Sequence, residues 1–295
     1  MRARLESPYR GTGAWRKACL HCHSTNSDGN LPPAEVARFY RERGYSILSV
    51  TDHRRVTRMS EHGGPEMLFL DGIELSSPHM VGVGLLSEMQ DDYGLQSQID
   101  AIEAHGGVVI VVHPAWTGLH VDEIAALSGY VGIEIWNVGT ERENGKGSSI
   151  NCWDELLDRG HRVWGFASDD AHRYADVGAK AWVMVRTDRL TRVAVLQALR
   201  NGDYYSSTGP VIEEVCVEER VDEMPTVRVR CSPCREVVFV GTANYGQVFR
   251  ANDTDIVEAC HQLQPWDWVK YLRIECRAAD RTRGWTNPIF VSWEP

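Results

Sequence analysis

No apolar run in the 295-residue chain reaches the length of a membrane span. None opens the N-terminus as a secretory signal would, so the expectation is a cytoplasmic protein without a membrane partner. Basic charge is also short: 31 Lys and Arg against 41 Asp and Glu leave a net charge of -10. This argues against a nucleic-acid coat or any stable nucleic-acid partner. It leaves room for a small phosphate ester at a locally cationic centre. The chain also lacks the dense cysteine framework of a small secreted domain. Its eight cysteines, without an export signal, read as reduced thiols. Cys231-Ser-Pro-Cys234 has the spacing of a zinc knuckle or redox pair, but no second such pair lies close by.

What the sequence does have is a series of metal-ligating side chains. His21 and His23 lie two residues apart on an extended segment, so they point to one side. Ser27-Asp28-Gly29 follows in a turn, then Thr51-Asp52-His53, Glu74, His79, His113-Pro114 and Ser168-Asp169-Asp170-Ala-His172. Nearly all follow short apolar runs that read as strands. His62, His105, His120, His161 and His261 have no such setting and read as loop, cap or packing residues.

Residues 1–16 are polar and Arg-rich, and a loose lead-in is expected there. Strands are expected over residues 17–23, 45–50, 67–75, 81–86, 108–112, 131–136, 163–167 and 181–185. Helices are expected from Pro33, stopped by Gly44, and over residues 95–105, 121–127, 149–159 and 191–200. Alternation of strand, loop and helix to about residue 205 means an α/β fold. Many strands each deliver an ionisable residue at the C-terminal end, which favours a (β/α) barrel over a doubly wound sheet. Beyond Gly209-Pro210 short β-rich runs take over. They suggest a small β-sandwich, a packing or lid module, and divide the chain into 1–207 and 208–295.

The ordered motifs closely resemble the PHP superfamily, named for its polymerase and histidinol-phosphatase members. The resemblance rests on His21-Cys-His23 with Ser27-Asp28-Gly29, Thr51-Asp52-His53 and Ser168-Asp-Asp170-Ala-His172. Tyr205-Ser-Ser-Thr-Gly209-Pro210 and Gly284-Trp285-Thr-Asn287-Pro288-Ile289 extend it to the CehA/McbA-like metallohydrolase subgroup. It implies a distorted seven-stranded (β/α) barrel followed by a β-sandwich, holding two or three divalent ions. Carried over, His21, His23, Glu74 and Asp170 would hold one ion. Glu74 would bridge to a second, completed by His79 and His113, while Asp28, His53 and His172 would hold a third. The adjacent pair Asp169-Asp170 departs from the usual single aspartate. Family spacing assigns Asp170 to the metal and leaves Asp169, like Asp52, to orient ligands from behind.

Nitrogen and oxygen donors without cysteine suit Zn, Mn or Fe. Three carboxylates, three divalent ions and a bridging hydroxide leave about +2 at the centre. That sign favours an anionic substrate. The leading reading is a metal-dependent phosphoesterase, acting on a phosphomonoester or phosphodiester, possible nucleotide derivatives included, through a metal-activated hydroxide. Glu74, His53 and His172 are its catalytic candidates, and Arg54, Arg55, Arg142, Arg173 and Lys180 its candidate substrate clamps. Trp116, Trp136 and Asn137 are candidates for the mouth. Two alternatives stand: a carbamate, amide or carboxylic-ester hydrolase using the same centre, and a catalytically silent, metal-stabilised binding module.

Overall fold

The computed structural model describes residues 2–59, 66–76, 79–90 and 94–294; His62 lies outside them. The first half contains strands β1 (Arg2–Glu6) and β2 (Ala14–Cys19), helix α1 (Pro33–Arg41), β3 (Ile47–Val50), β4 (Leu68–Leu75), β5 (Met80–Val83), α2 (Leu95–Ala104) and β6 (Val108–Val111). There follow α3 (Pro114–Thr117), α4 (Val121–Ala125), β7 (Gly132–Asn137), α5 (Val138–Asn144), α6 (Ile150–Asp158) and β8 (Trp164–Ser168). Then come α7 (Tyr174–Val177), β9 (Trp182–Thr187), α8 (Arg192–Asn201) and β10 (Tyr204–Ser207). The remainder is β: β11 (Ile212–Glu218), β12 (Thr226–Cys234), β13 (Glu236–Gly241), β14 (Gly246–Arg250), β15 (Ile256–Gln262), β16 (Tyr271–Arg277), β17 (Arg283–Thr286) and β18 (Ile289–Glu294).

Local chemistry explains the main elements. Pro33 starts α1 where its missing N–H costs nothing, and Val36, Ala37 and Tyr40 form the buried stripe. Every residue of β6 is buried, as its unbroken run of β-branched residues requires. Thr191 caps α8 by accepting from the Ala194 N–H, and Gly202 ends it in the left-handed region. Among the described residues, no helix is long and apolar enough to cross a membrane.

The loose lead-in expected over residues 1–16 is overturned. β1 pairs antiparallel along all of its length with β18, burying Ala3 and Leu5 while its arginines stay outside. That period-two alternation is a strand signal, and Arg-rich composition masked it. β2 also starts and ends earlier than expected, because its ladder partner β9 pairs over Ala14–Ala18. The chain beyond Cys19 thus leaves the sheet before it reaches the first histidine.

One sheet links most of the strands in the order β1-β18-β16-β17-β10-β9-β2-β3-β4-β5-β6-β7-β8. β2, β3 and β4 run parallel, as do β6, β7 and β8. β5 runs antiparallel to both of its neighbours, so strict strand–helix alternation breaks there. The run from β2 to β8 curves back on itself: past the strand ends, Cys22 bridges Ala171 in parallel, and the Asp170 N–H donates to the His21 carbonyl. β11, β12 and β15 form a separate sheet. Its Val215, Val227 and Val229 pack in one apolar cluster with Val237, Phe239 and Ile274 of the large sheet.

Two polar devices fasten the C-terminal β region to α6, β8 and the α8–β10 connection. Asn287, fully buried, accepts from the Gly165 N–H of β8 at 2.9 Å and donates to the Gly202 and Tyr204 carbonyls at 3.0 and 3.1 Å. This gives the Thr-Asn287-Pro motif its physical role. Arg273 of β16 grips Asp154 of α6 through two bonds of 2.8 and 2.7 Å.

Asn287→Ala should strand several buried backbone groups and destabilise the protein by roughly 2–4 kcal/mol, measured by urea unfolding. Asp203, buried at the start of β10, supplies a pH test. Burial lifts its carboxyl from 3.8 to about 6, Arg186 and the Gly11 N–H only partly opposing. A folded-state pKa above the unfolded value means that stability falls as pH rises from about 4 to 6. Asp203→Asn should therefore stabilise at pH 7 by up to about 2 kcal/mol and little at pH 4. An equal effect at both pH values would contradict the assignment.

Candidate metal centre

The parallel strands set up the centre. Leaving β2, β3, β6 and β8 at their C-terminal ends, the chain delivers His21 and His23, His53, His113, and Asp170 with His172. Glu74 is the penultimate residue of β4, and His79 directly precedes β5. His113 and Asp170 both lie in the left-handed region, at φ 31° and 48°. Non-glycine residues held there carry strain that neighbouring contacts must impose. Gly29 completes the Ser27-Asp28 turn because a Cβ there would lie 2.4 Å from the His23 carbonyl oxygen.

Glu74 is the hub. Its Oε1 lies 2.7 Å from His79 Nδ1 and 3.1 Å from His113 Nε2. Its Oε2 lies 3.1 Å from His53 Nδ1, 3.2 Å from His23 Nε2 and 3.4 Å from His21 Nε2. Asp170 Oδ1 lies 3.0 Å from His23 Nε2 and 3.3 Å from His21 Nε2. Asp28, at the exposed rim, approaches His172 Nε2 at 3.3 Å, His53 Nε2 at 3.6 Å and His23 Nδ1 at 3.7 Å. All nine expected ligand side chains thus meet in one place.

The residues fit divalent cations on structural grounds. Glu74 Oε2, His23 Nδ1 and His53 Nδ1 are buried without a hydrogen-bond partner, an expensive arrangement unless something else engages them. Three overlapping donor groups have the spacing of metal ligands: His21, His23, Glu74 and Asp170; His23, Asp28, His53 and His172; His53, Glu74 and His79. Donors are nitrogen and oxygen throughout, a set suited to divalent cations. Burial opposes a charged His21 and His23, yet the surrounding carboxylates prevail. They lift His21 well above its ordinary value, and His23 to about 9. The imidazoles in turn hold Glu74 and Asp170 far below the usual carboxylate range, against burial. A bound cation would compete with protons for these imidazoles and carboxylates.

A residue the sequence reading missed supports the centre from behind. Glu134 of β7 is buried, and its Oε1 takes His21 Nδ1 at 2.7 Å. Its Oε2 accepts from the His113 backbone N–H and from Asn137 Nδ2, both at 2.9 Å. Asn137 also donates to Asp170 Oδ2 at 3.2 Å, so it is buried behind the ligands and not at the mouth. The available signal was a lone carboxylate inside the apolar strand Ile133-Glu134-Ile135.

Asp52 and Asp169 hold loops. Asp52 accepts from the Ser24 N–H and hydroxyl, Ser27 and Thr57, fixing the turn that carries Asp28. Asp169 accepts from the N–H groups of Ala179, Lys180 and Ala181 and from the Tyr40 hydroxyl. Burial still pushes its carboxyl up to about 6.

A cavity of about 540 Å³ opens over the cluster, and Trp116, Arg142, Glu143, Arg173 and Asp176 complete its walls. Of the five candidate clamps, Arg142 and Arg173 line it; Arg54, Arg55 and Lys180 do not. Trp116 packs edge-on against His79 and His113, whereas Trp136 stacks on Trp285. Among the described residues, none of the C-terminal β region lines this cavity.

No family model matches the chain, and no curated protein matches it. Among solved structures it is similar to a two-domain protein from Bacteroides vulgatus described as containing a predicted PHP-like metal-dependent phosphoesterase. Identity is 16%, the match covers 98% of this chain and 99% of that one, and the TM-score is 0.53. A provisionally designated metal-dependent phosphoesterase from Bifidobacterium adolescentis matches at 14% identity over 57% of this chain and 90% of that one, TM-score 0.42. An amidohydrolase from Chromobacterium violaceum, with sulfate and no metal, matches at 18% identity over 55% and 89%, TM-score 0.40. The first match shows a fold shared along nearly the whole chain; at this identity the chemistry has to be argued from the site.

Glu134→Gln keeps the shape but removes the charge that orients His21. Metal affinity, measured by chelator competition, should fall about 10- to 100-fold with thermal stability little changed. Unaltered affinity would mean that Glu134 has no part in the centre.

Proposed function

We propose that this chain is a metal-dependent hydrolase of phosphate esters, with the β2-to-β8 run a distorted seven-stranded barrel of the CehA/McbA-like type. On this reading residues 1–207 form the catalytic domain and 208–295 a β-sandwich, joined by β1. The observation that carries the function is Glu74, buried with both carboxylate oxygens facing imidazoles, beneath a cavity into which Arg142 and Arg173 also face. Bound divalent ions would supply Lewis acidity and a water of lowered pKa.

The chain's own groups then divide the work. His21, His23 and Asp170 would hold one ion with Glu74, His79 and His113 a second, and Asp28, His53 and His172 a third. Glu74 would lie between the first two, and its paired oxygens, facing opposite sets of imidazoles, support that bridging role. Arg142 and Arg173 would take the non-bridging phosphoryl oxygens, for which planar guanidinium groups are suited. His53 and His172, partly exposed at 27% and 35%, line the cavity and would stand beside a departing leaving group. Glu143 and Asp176 share the same wall, which limits how much negative charge a substrate can carry beyond its phosphate.

Purified protein containing at least two divalent ions should release phosphate or alcohol from a panel of aryl mono- and diesters in Mn²⁺ or Zn²⁺. Aryl carbamates and carboxylic esters run in parallel should have much lower kcat/KM; the reverse order would establish the carbonyl reading. Two firmly held ions without turnover on either panel would leave the metal-stabilised binding module. Glu74→Gln should lower turnover by at least about 100-fold and loosen more than one ion. His113→Ala should weaken mainly one. His261→Ala, in a residue bonded to Tyr245 and Gln247, should leave metal content unchanged. Full metal content and near-normal turnover in Glu74→Gln would sink the assignment.

A further inference from the structure

Between the two sheets lies a group of thiols that the histidine centre does not use. Cys231 and Cys234 of β12 and Cys276 of β16 are each at most 2% exposed, and their Sγ atoms lie within 4.8 Å of one another. The sequence alone does not place the first two together. Residues three apart on a regular strand point to opposite faces. Here the β12–β15 register slips: Arg230 opposes Glu258 and Cys234 opposes Ile256, so four steps on β12 match two on β15. The irregularity brings Cys234 back to the inner side that Cys231 faces. Cys276 reaches them from the other layer, where it sits between Val237 of β13 and Gly284 of β17.

We propose that Cys231, Cys234 and Cys276 form a second cation site, for one thiophilic d¹⁰ ion of the Cu(I) or Zn(II) class. Three sulfurs about 2.3 Å from a common ion stand about 4 Å apart in a trigonal arrangement, which the observed spacing accommodates with little movement. All-sulfur donors in a dry, apolar cluster select a soft ion and reject Mg or Mn. Ion binding displaces the protons of the thiols that ligate it. No electron transfer is involved. The site is separate from the histidine centre in donor type, so the two should sort different metals.

Cadmium distinguishes the two sites, because only thiolate ligation gives the ultraviolet sulfur-to-cadmium charge-transfer band. Full-length protein produced in cadmium-supplemented medium should show that band at about one thiolate-bound ion per chain. Cys276→Ser should abolish it, while Cys260→Ser, at an exposed thiol outside the cluster, should keep it. Phosphoesterase turnover and the ion content of the histidine centre should be the same in Cys260→Ser and wild type. Should Cys276→Ser fail to fold, Cys234→Ala and the wild-type spectrum still decide. Absence of the band in cadmium-loaded wild-type protein with all thiols reduced would overturn the proposal. So would a band that survives Cys276→Ser, or a Cys231–Cys234 disulfide in protein purified under reductant.

Discussion

A carboxylate buried among five imidazoles is the constraint on which the rest of this structure depends. Glu74 cannot be left alone in the interior, since an unpaired buried charge costs several kcal/mol. Nor can the imidazoles satisfy it fully, because Oε2 has three ring nitrogens at contact distance and no aligned donor. The arrangement makes sense once cations stand between the groups. Five strand ends must then meet within one ligand radius of a single residue, and the curvature of the β2-to-β8 run achieves that.

Three other buried carboxylates keep those ends in place. Asp52 gathers the Ser24–Thr57 hydroxyls under the Asp28 turn, Asp169 anchors the chain leading into β9, and Glu134 ties His21 to His113. Each is held by hydrogen bonds, and none of the three lines the cavity. Acidic residues thus both bind and brace the centre.

What was legible in the sequence were the features with a period or a fixed chemistry. Apolar runs ending in His or Asp marked β3, β6 and β8, and the helical stripe from Pro33 marked α1. Less visible were elements whose stability comes from distant partners. β10 and β17 are four residues each and pair with one another across more than seventy positions. β14 is mostly exposed and offers no apolar alternation. Asp169 and Asp170 are chemically alike, and local sequence does not say which one faces the cluster. The left-handed backbone at Asp170 does, by turning its side chain toward His23 while Asp169 meets the 179–181 loop.

The C-terminal β region acts on the centre through the framework. Asn287 bonds the first half of β8, the strand that leads into Asp169 and Asp170, and Arg273 holds α6, which packs on β7. β7 carries Glu134 and Asn137, and β8 leads into Asp170, the residues that meet the histidines. A ligand cluster tolerates little displacement before bond lengths fail, since metal–ligand distances must hold within about 0.2 Å. Rigid support behind β7 and β8 is therefore as necessary as the ligands. This accounts for a C-terminal β region whose described residues line no part of the cavity yet are fastened by buried polar bonds to the strands that set the geometry.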